Sequence, residues 1–323
     1  MSSLRNNSLE IEVRPINGHI GAEIRNIDLS RNLAAEEFKI VEDALVRYEV
    51  IVFRDQSFTL DQQIEFTKRF GPLSVHPFAP NMADKPEVIT LDNSGDNPAG
   101  PTDGWHSDET YRARPPMATI LRARTMPPYG GDTLFASMTA AYDGLSEQMK
   151  RYIHDLEVLH DFKPWRHMFE GSPELRARLR KLEDEYPNPW HPVVRIHPVS
   201  KRRVLFVNAL FSTRIKGLTE DESRSILDFL CRQATIPDYQ LRIKWQPNTV
   251  VMWDNRSTQH YAPHDYYPHH RKLDRLTVAG GAVTGPVGPY TPQEPRTDSL
   301  VQRITAHGLQ GRPFIGNETP AAM

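Results

Sequence analysis

The amino-acid sequence predicts a mainly β protein with flanking helices, organised around a double-stranded β-helix, or jelly-roll, core. Beyond residue 88 the chain reads as short strands separated by turns. Its 27 prolines favour strands and ordered loops over long uninterrupted helices. One candidate set of metal ligands falls among those strands, as in a barrel that encloses a site. The 323 residues can bury one large core, so we expect a single domain over residues 1–283 and an arm or tail over residues 284–323.

The first part of the chain alternates strands with helices, after polar residues 1–8 that we expect to fray. The predicted strands are residues 11–13, 22–24 and 50–53. Apolar side chains that repeat on one face predict a helix over residues 33–48. A second helix is predicted over residues 60–70, with Thr59 as its N-cap and Gln62 at the capping-box position.

From residue 88 onward strands predominate and three helices are inserted between them. Apolar runs bounded by turn residues define the strands. They are predicted at residues 88–91, 104–108, 118–125, 133–137, 193–197, 203–207, 241–244, 249–254, 257–260 and 275–280. Helical spacing predicts helices over residues 138–156, 173–185 and 219–233.

Composition argues against several classes of function. A net charge of −2 gives no reason to expect a nucleic-acid or membrane partner, and no apolar run reaches the roughly 18 residues that cross a bilayer. The N-terminus does not resemble a secretory signal. The single Cys231 excludes an intramolecular disulfide and a cysteine-based zinc site, which fits a cytoplasmic protein. We expect a homo-oligomer that acts on a small molecule.

Three residues carry the predicted chemistry. His106 and Asp108 form a His-x-Asp pair, which a strand would project to one face. His260 follows an apolar strand and a turn, so a second strand of a barrel would bring it beside them. Two imidazoles and one carboxylate form the facial triad of non-haem Fe(II) oxygenases, which leaves positions open for a co-substrate and O2. Singly, the pair is expected by chance among 13 histidines and His260 could be a core histidine bonded to a carbonyl, so the prediction depends on the whole set.

Thr133, Arg271 and Arg275 are candidates for holding a co-substrate that chelates iron through an α-keto acid. The planar guanidinium of arginine donates two parallel hydrogen bonds to a carboxylate, and a threonine hydroxyl adds a neutral donor. Thr133 follows Gly130 and Gly131, which allow close approach of the backbone to a site. Taken alone, the glycines could form only a hairpin turn and Arg271 could be a solvated cation.

Five motifs, in this order, resemble the taurine dioxygenase family of Fe(II)/2-oxoglutarate-dependent oxygenases over roughly residues 10–283. The motifs are Trp105-His-x-Asp-x-x-Tyr, Gly130-Gly-Asp-Thr133, His191-Pro-Val-Val-Arg-x-His-Pro198, Leu205-Phe-Val-Asn208 and Trp253-Asp-Asn-Arg-x-Thr-Gln-His-Tyr261. The resemblance implies that His106, Asp108 and His260 are the iron ligands. It implies that Thr133 and Arg271 bind 2-oxoglutarate, and that O2 is consumed while a substrate C–H bond is hydroxylated and succinate and CO2 form.

The resemblance also implies a pocket for a small organic anion. His76 and Arg275 match a histidine and a second arginine that hold a sulfonate in taurine-oxidising members. Phe162 and Phe211 match an aromatic wall. The alternative for His76 and Arg275 is a supporting role without contact to the substrate.

Two positions depart from the taurine-binding pattern. Ala79 stands in place of an aromatic hydroxyl, and Thr102 in place of an asparagine that would contact the substrate amine. Alanine removes a donor and leaves volume, and threonine cannot match the donor–acceptor pair of an amide. We therefore predict a sulfonate or sulfate ester, taurine-like or bulkier. The alternatives are an aryloxyalkanoate or other carboxylate, a natural-product intermediate and, remotely, a non-catalytic jelly-roll protein that binds a small acid.

Overall fold

A seven-stranded sheet forms one layer of the computed structural model, which describes residues 10–77, 79, 81–97 and 102–294, without the side chains of residues 163–165. In spatial order its strands are β1 (Glu12–Pro15), β2 (Ala22–Arg25), β3 (Val50–Phe53), β13 (Val250–Asp254), β5 (Ala118–Thr125), β15 (Arg271–Val278) and β4 (Ile89–Asn93). Neighbouring strands are antiparallel, except that β2 and β3 run parallel.

A three-stranded sheet packs against one face of this layer. It consists of β12 (Gln240–Ile243), β6 (Thr133–Ser137) and β14 (Thr258–Tyr261), all antiparallel. Side chains from the two sheets share one buried cluster, which includes Leu121, Val251 and Trp253 from the large sheet and Phe135 and Ile243 from the small one. Full burial of one such side chain contributes about 1.5–3 kcal/mol, so this cluster fixes the two sheets relative to each other.

Two helices cover the opposite face of the seven-stranded sheet. Helix α1 (Ala35–Tyr48) and helix α2 (Leu60–Lys68) bury their apolar residues against β3, β5 and β13. The predicted cap of the second helix is confirmed, because Thr59 Oγ1 accepts from the Gln62 amide and Gln62 Oε1 accepts from the Thr59 amide. Within the described residues, no helix has the length and apolar character needed to span a membrane.

A fourth layer, after the two sheets and the pair of helices, completes the structure and has its own buried apolar cluster. Its strands are β7 (Glu157–His160), β8 (Trp190–Pro192), β9 (Val194–Ile196), β10 (Arg203–Leu205) and β11 (Ser212–Ile215). Its helices are α3 (Met138–Asp143), α4 (Glu147–Ile153), α5 (Pro173–Glu185) and α6 (Glu220–Cys231). The start of the predicted arm lies along this layer: Ile196 donates to Thr284 O, and the Arg203 amide donates to Gln293 Oε1. Residues 295–323 lie outside the described residues, and the boundary at residue 283 stays a prediction.

Two predicted elements are wrong for identifiable reasons. Residues 104–108 do not form a strand, because His106 makes only an isolated bridge to His260 and a turn begins at Asp108. The single helix predicted over residues 138–156 is instead two helices, α3 and α4, separated at Gly144. A side chain would not fit at Gly144, because an added Cβ would lie 1.9 Å from the Tyr239 hydroxyl oxygen. The side chain of Ser146 caps α4, so the second helix begins anew.

Other boundaries shift by a few residues, and some elements were not predicted. The last strand begins at Arg271, four residues before its predicted start. Helix α6 ends at Cys231, and a 3₁₀ turn follows it over Arg232–Thr235. Strands β7 and β11 pair with each other where the sequence predicted no strand.

Candidate metal centre and its pocket

Three ligand-type side chains converge where β14 meets the segment before β5. Nε2 of His106 lies 4.0 Å from Oδ1 of Asp108, and Nε2 of His260 lies 3.8 Å from the same oxygen. Their donor atoms all lie within 4.8 Å of one another, and all three side chains are buried. Nothing else in the described part of the chain groups three His, Cys, Asp or Glu donors in this way. The arrangement can hold one metal ion.

The backbone fixes two of these residues directly to each other. The His106 amide donates to His260 O at 3.1 Å, and the His260 amide donates to His106 O at 2.8 Å. Asp108 reaches the same side through the turn that begins there, which the Arg112 amide closes by donating to Glu109 O at 3.0 Å. A turn therefore produces the geometry that the sequence assigned to strand alternation.

Hydrogen bonds orient the donor atoms. His106 Nδ1 lies 2.7 Å from Gly104 O and donates to it, which leaves the lone pair on Nε2 free for a metal. The Thr119 hydroxyl donates to Asp108 Oδ2 at 2.6 Å, so Oδ1 is the oxygen that faces the imidazoles. Asn255 donates to Thr119 Oγ1 at 2.9 Å and holds that hydroxyl in place.

The ionisation states suit metal binding. Burial lowers the pKa of His106, and burial together with His106 lowers the pKa of His260 to about 3. Burial alone would raise the pKa of Asp108, but Arg275 and the two imidazoles hold it below its ordinary value. At neutral pH the site therefore presents two neutral imidazoles and one carboxylate, the forms in which these groups bind metals and a donor set that fits Fe(II).

Arg271 and Thr133, the predicted co-substrate binders, lie on strands of the two packed sheets. Neighbouring groups hold the donors of both side chains in place. Arg271 Nε donates to Gly131 O at 3.0 Å, which leaves its terminal nitrogens as a fork. Burial lowers the pKa of Arg271 to about 10, so it is charged at neutral pH, yet no carboxylate among the described residues forms an ion pair with it. The Trp245 indole donates to Thr133 Oγ1 at 3.0 Å, and the Thr133 hydroxyl proton remains available.

Gly131 is the glycine on which this arrangement depends. Its φ is +69°, in the left-handed region that favours glycine, and a Cβ there would lie 3.0 Å from Cδ of Arg271. The backbone at Gly131 thus contacts Arg271 directly.

His76 and Ala79 form one unit. The Ala79 amide donates to His76 Nδ1 at 2.9 Å, so the neutral ring carries its proton on Nε2. Burial lowers the pKa of His76, which favours this neutral form. Nε2 lies 3.4 Å from the hydroxyl of Tyr111. Ala79 thus acts through its backbone, which a search for a side-chain donor could not reveal.

Arg275, a predicted anion binder, lies beside the metal-ligand group. Its Nη2 lies 3.2 Å from Asp108 Oδ1 and 3.6 Å from Glu109 Oε1, yet Nε and Nη2 are buried and make no hydrogen bond. Buried guanidinium donors without a hydrogen bond are costly, and an anion would satisfy them.

The two residues predicted to form an aromatic wall lie close together. Phe162 and Phe211 are buried in one cluster with Tyr111, whose ring centroid lies 5.7 Å and 5.3 Å from theirs. The Phe211 ring lies 6.1 Å from the ring of His106, so the wall borders the metal-ligand group. Thr102 lies instead against the loop after β14, with its hydroxyl 3.3 Å from Nε2 of His264.

Sequence reasoning did not assign roles to several residues that shape the site. Thr119, Trp245 and Glu109 all contact predicted ligands or binders. Tyr111 was noted only as the last residue of the motif that begins at Trp105. For Thr119 the available signal was a hydroxyl between the apolar residues Ala118 and Ile120 at the start of β5.

Comparisons with known proteins agree with this geometry. Residues 12–277 match the family described as Taurine catabolism dioxygenase TauD, TfdA family. The chain is 34% identical to an alkylsulfatase of Acinetobacter baylyi, over 98% of this chain and 94% of the relative. It is 36% identical to an alpha-ketoglutarate-dependent sulfate ester dioxygenase of Pseudomonas putida, over 86% of this chain and 92% of the relative. A solved taurine dioxygenase from Burkholderia xenovorans is 35% identical with a TM-score of 0.73, over 85% of this chain and 93% of that one.

Proposed function

Because the chain belongs to the TauD/TfdA family of Fe(II)- and 2-oxoglutarate-dependent dioxygenases, we propose that it oxidises alkyl sulfate esters, with alkyl sulfonates as a second substrate class. The two packed sheets are then the double-stranded β-helix expected from the sequence. The homo-oligomeric state expected from the sequence stays a prediction.

In this proposal His106, Asp108 and His260 hold Fe(II) through two imidazole nitrogens and one carboxylate oxygen. When bound, Fe(II) and 2-oxoglutarate supply, with O2, the oxidant that removes hydrogen from the substrate carbon, and succinate and CO2 form. The hydrogen bonds from His106 to Gly104 O and from Thr119 to Asp108 keep the ligands in one orientation.

Arg271 and Thr133 anchor the co-substrate. The terminal nitrogens of Arg271 donate to the carboxylate of 2-oxoglutarate that is remote from the metal, and the Thr133 hydroxyl adds a third donor. Ion-pair formation neutralises an otherwise unpaired buried cation, so this contact contributes to the affinity for 2-oxoglutarate.

The buried donors of Arg275 that make no hydrogen bond are the observation that carries the proposal of an anionic head group. Nε and Nη2 of Arg275 offer hydrogen bonds to a tetrahedral anion, and the imidazole of His76 lies close enough to Arg275 that burial and the charge of Arg275 together lower its pKa. The wall of Tyr111, Phe162 and Phe211 faces the alkyl chain. Ala79 leaves room, and Thr102 is engaged by His264, so nothing here favours the small amine of taurine.

The reaction follows from where the hydroxyl group is placed. Hydroxylation of the carbon that bears the sulfate oxygen gives a hemiacetal-type ester. Its C–O bond to sulfate breaks, the hydroxyl proton is lost, and an aldehyde and inorganic sulfate result. A sulfonate would release sulfite by the same sequence. The sulfate-ester and sulfonate relatives support this order of substrates. An aryloxyalkanoate is the second candidate, because Arg275 and His76 would also bind a carboxylate beside the aromatic wall.

The test supplies purified protein with Fe(II), 2-oxoglutarate, ascorbate and air. For each compound, the amount of succinate is compared with the amount of the second product. That product is sulfate from hexyl sulfate, sulfite from hexanesulfonate and taurine, and phenol from phenoxyacetate. We expect sulfate and succinate to form in equal amounts from hexyl sulfate, and taurine to react poorly. His106→Ala should abolish succinate formation, whereas His269→Ala, at a histidine that contacts Tyr129 outside the donor group, should not. Phenol release that exceeds sulfate release would favour the carboxylate, and equal succinate with every compound would contradict the proposal.

A further inference from the structure

Glu109 places a second carboxylate beside the proposed anion site. It directly follows Asp108 and is only 4% exposed. Its φ is +49°, a left-handed conformation that glutamate rarely adopts. The strained turn directs the side chain inward, where Oε2 lies 2.9 Å from Nη1 of Arg112 and Oε1 lies 3.6 Å from Nη2 of Arg275.

Arg275 is therefore shared between two carboxylates. Asp108 and Glu109 contact the same nitrogen, Nη2, and the remaining donor capacity is what a substrate anion can use. Asp108 belongs to the metal-ligand group, but Glu109 has no part in metal binding as proposed here. Its carboxylate acts on any anion that Arg275 holds.

We infer that Glu109 is a specificity-determining residue that restricts the pocket to singly charged head groups. The inference rests on the proposed function, because it concerns the anion that Arg275 binds. A sulfate ester or sulfonate carries one negative charge, whereas a phosphate monoester of the same shape carries nearly two at about pH 8. The two head groups have the same shape, so charge is the property by which the site can distinguish them.

The balance of charges in the site supports this reading. Asp108 and Glu109 offset Arg112 and Arg275, and Fe(II) offsets doubly charged 2-oxoglutarate. Arg271 then leaves one net positive charge, which one negative charge on the substrate neutralises. Anions that share one guanidinium lie within roughly 6 Å of each other, where one extra charge weakens binding by about tenfold to a hundredfold at the effective dielectric constant of a protein.

The experiment measures binding without turnover. Protein loaded with Fe(II) and 2-oxoglutarate is titrated without oxygen, by calorimetry at about pH 8, with hexyl sulfate and with hexyl phosphate. In the wild-type protein the Kd for the phosphate should exceed that for the sulfate by about tenfold or more. Glu109→Gln keeps the size of the side chain and removes its charge, so the ratio of the two Kd values should fall about tenfold.

A second variant should move the ratio in the opposite direction. Arg112→Gln removes the cation that compensates Glu109, so hexyl phosphate should be excluded more strongly. Glu220→Gln removes the same charge as Glu109→Gln from an exposed pair with Arg224 in α6, and its ratio should equal that of the wild type. This control separates a local effect from a change in net charge.

The outcomes distinguish the inference from the function on which it rests. Wild-type protein that binds neither compound refutes the proposed head-group class, and the inference with it. Wild-type protein that binds hexyl sulfate, with ratios unchanged in both Glu109→Gln and Arg112→Gln, overturns the inference alone. Taurine is titrated in the same way; if it binds more weakly to Glu109→Gln while hexyl sulfate binds as before, Glu109 is an acceptor for an ammonium group and the inference is wrong.

Discussion

Replacing Thr119 by valine would remove one hydroxyl group from the candidate metal centre and keep the branched shape of the side chain. Thr119 is the second residue of β5, is fully buried, and donates to Asp108 Oδ2 at 2.6 Å. Without this bond Asp108 can rotate, and Oδ1 loses its fixed position beside the imidazoles of His106 and His260. The change touches none of the three donor atoms.

The expected magnitude follows from the type of hydrogen bond that is lost. A bond from a neutral donor to a carboxylate contributes about 1.5–3 kcal/mol, and loss of such a supporting contact typically weakens metal binding about 10- to 100-fold. The free energy of unfolding should also fall by about 1–3 kcal/mol, because the Asn255 amide that donates to Thr119 loses its acceptor.

Anaerobic titration with Fe(II), and with Mn(II) as a redox-stable substitute, measures the metal affinity, and urea unfolding of the metal-free protein measures stability. Thr67→Val is the matched control, since Thr67 is equally buried but donates to Gln63 O within α2. It should leave the metal Kd unchanged. If Thr119→Val binds metal as tightly as the wild type, Asp108 is not oriented by Thr119, and the account of the ligand geometry is wrong.

Three further predictions follow from other contacts. Arg271→Ala should weaken the binding of 2-oxoglutarate by roughly 2–4 kcal/mol, which raises its KM about 30- to 900-fold. The KM for the substrate should change much less, and equal changes in both KM values would refute the role of Arg271 as the anchor of 2-oxoglutarate. Gly131→Ala should cost about 1–3 kcal/mol in urea unfolding because its φ is +69°, and should raise the KM for 2-oxoglutarate without changing metal affinity; an unchanged KM would exclude the proposed coupling to Arg271. Asp254→Asn should cost about 3–5 kcal/mol at pH 7, because Asp254 is buried with Arg256 and His197. Burial alone would raise the pKa of Asp254, but these partners hold it below its ordinary value. The stability that ionised Asp254 contributes is therefore present above the unfolded pKa of about 3.9 and is lost as the pH falls through the folded pKa. A difference in unfolding free energy between variant and wild type that persists unchanged at about pH 2 would contradict this.

The sequence was informative where chemistry allows few residue types. His106, Asp108 and His260 could be selected because few side chains bind iron, and the structure brings their donor atoms together. The cap at Thr59 could be predicted because its contacts are local. In both cases the relevant physics depends on residue type or on neighbours in the chain.

The sequence was uninformative where contacts between distant segments decide the backbone. The turn at Asp108 is supported from far along the chain, since Asn208 Nδ2 donates to the hydroxyl of Thr110 at 3.1 Å. His160 Nδ1 lies 2.8 Å from the same hydroxyl. Between α3 and α4, Tyr239 likewise approaches Gly144 so closely that a Cβ would not fit there. No local pattern encodes such contacts, so a strand and a continuous helix were predicted instead.

The reciprocal backbone hydrogen bonds between His106 and His260 have a consequence for biosynthesis. Two of the three proposed ligands are made early, but their partner strand β14 leaves the ribosome only after most of the chain has been synthesised. Until then the segment around His106 has no strand to pair with, and Asp108 has no second imidazole beside it. A nascent chain should therefore bind iron only at the end of its synthesis. The bound iron would then connect two ligands made early with one ligand made late. Metal supply would in this way protect the newly completed protein against reopening, as any ligand specific for the folded state does.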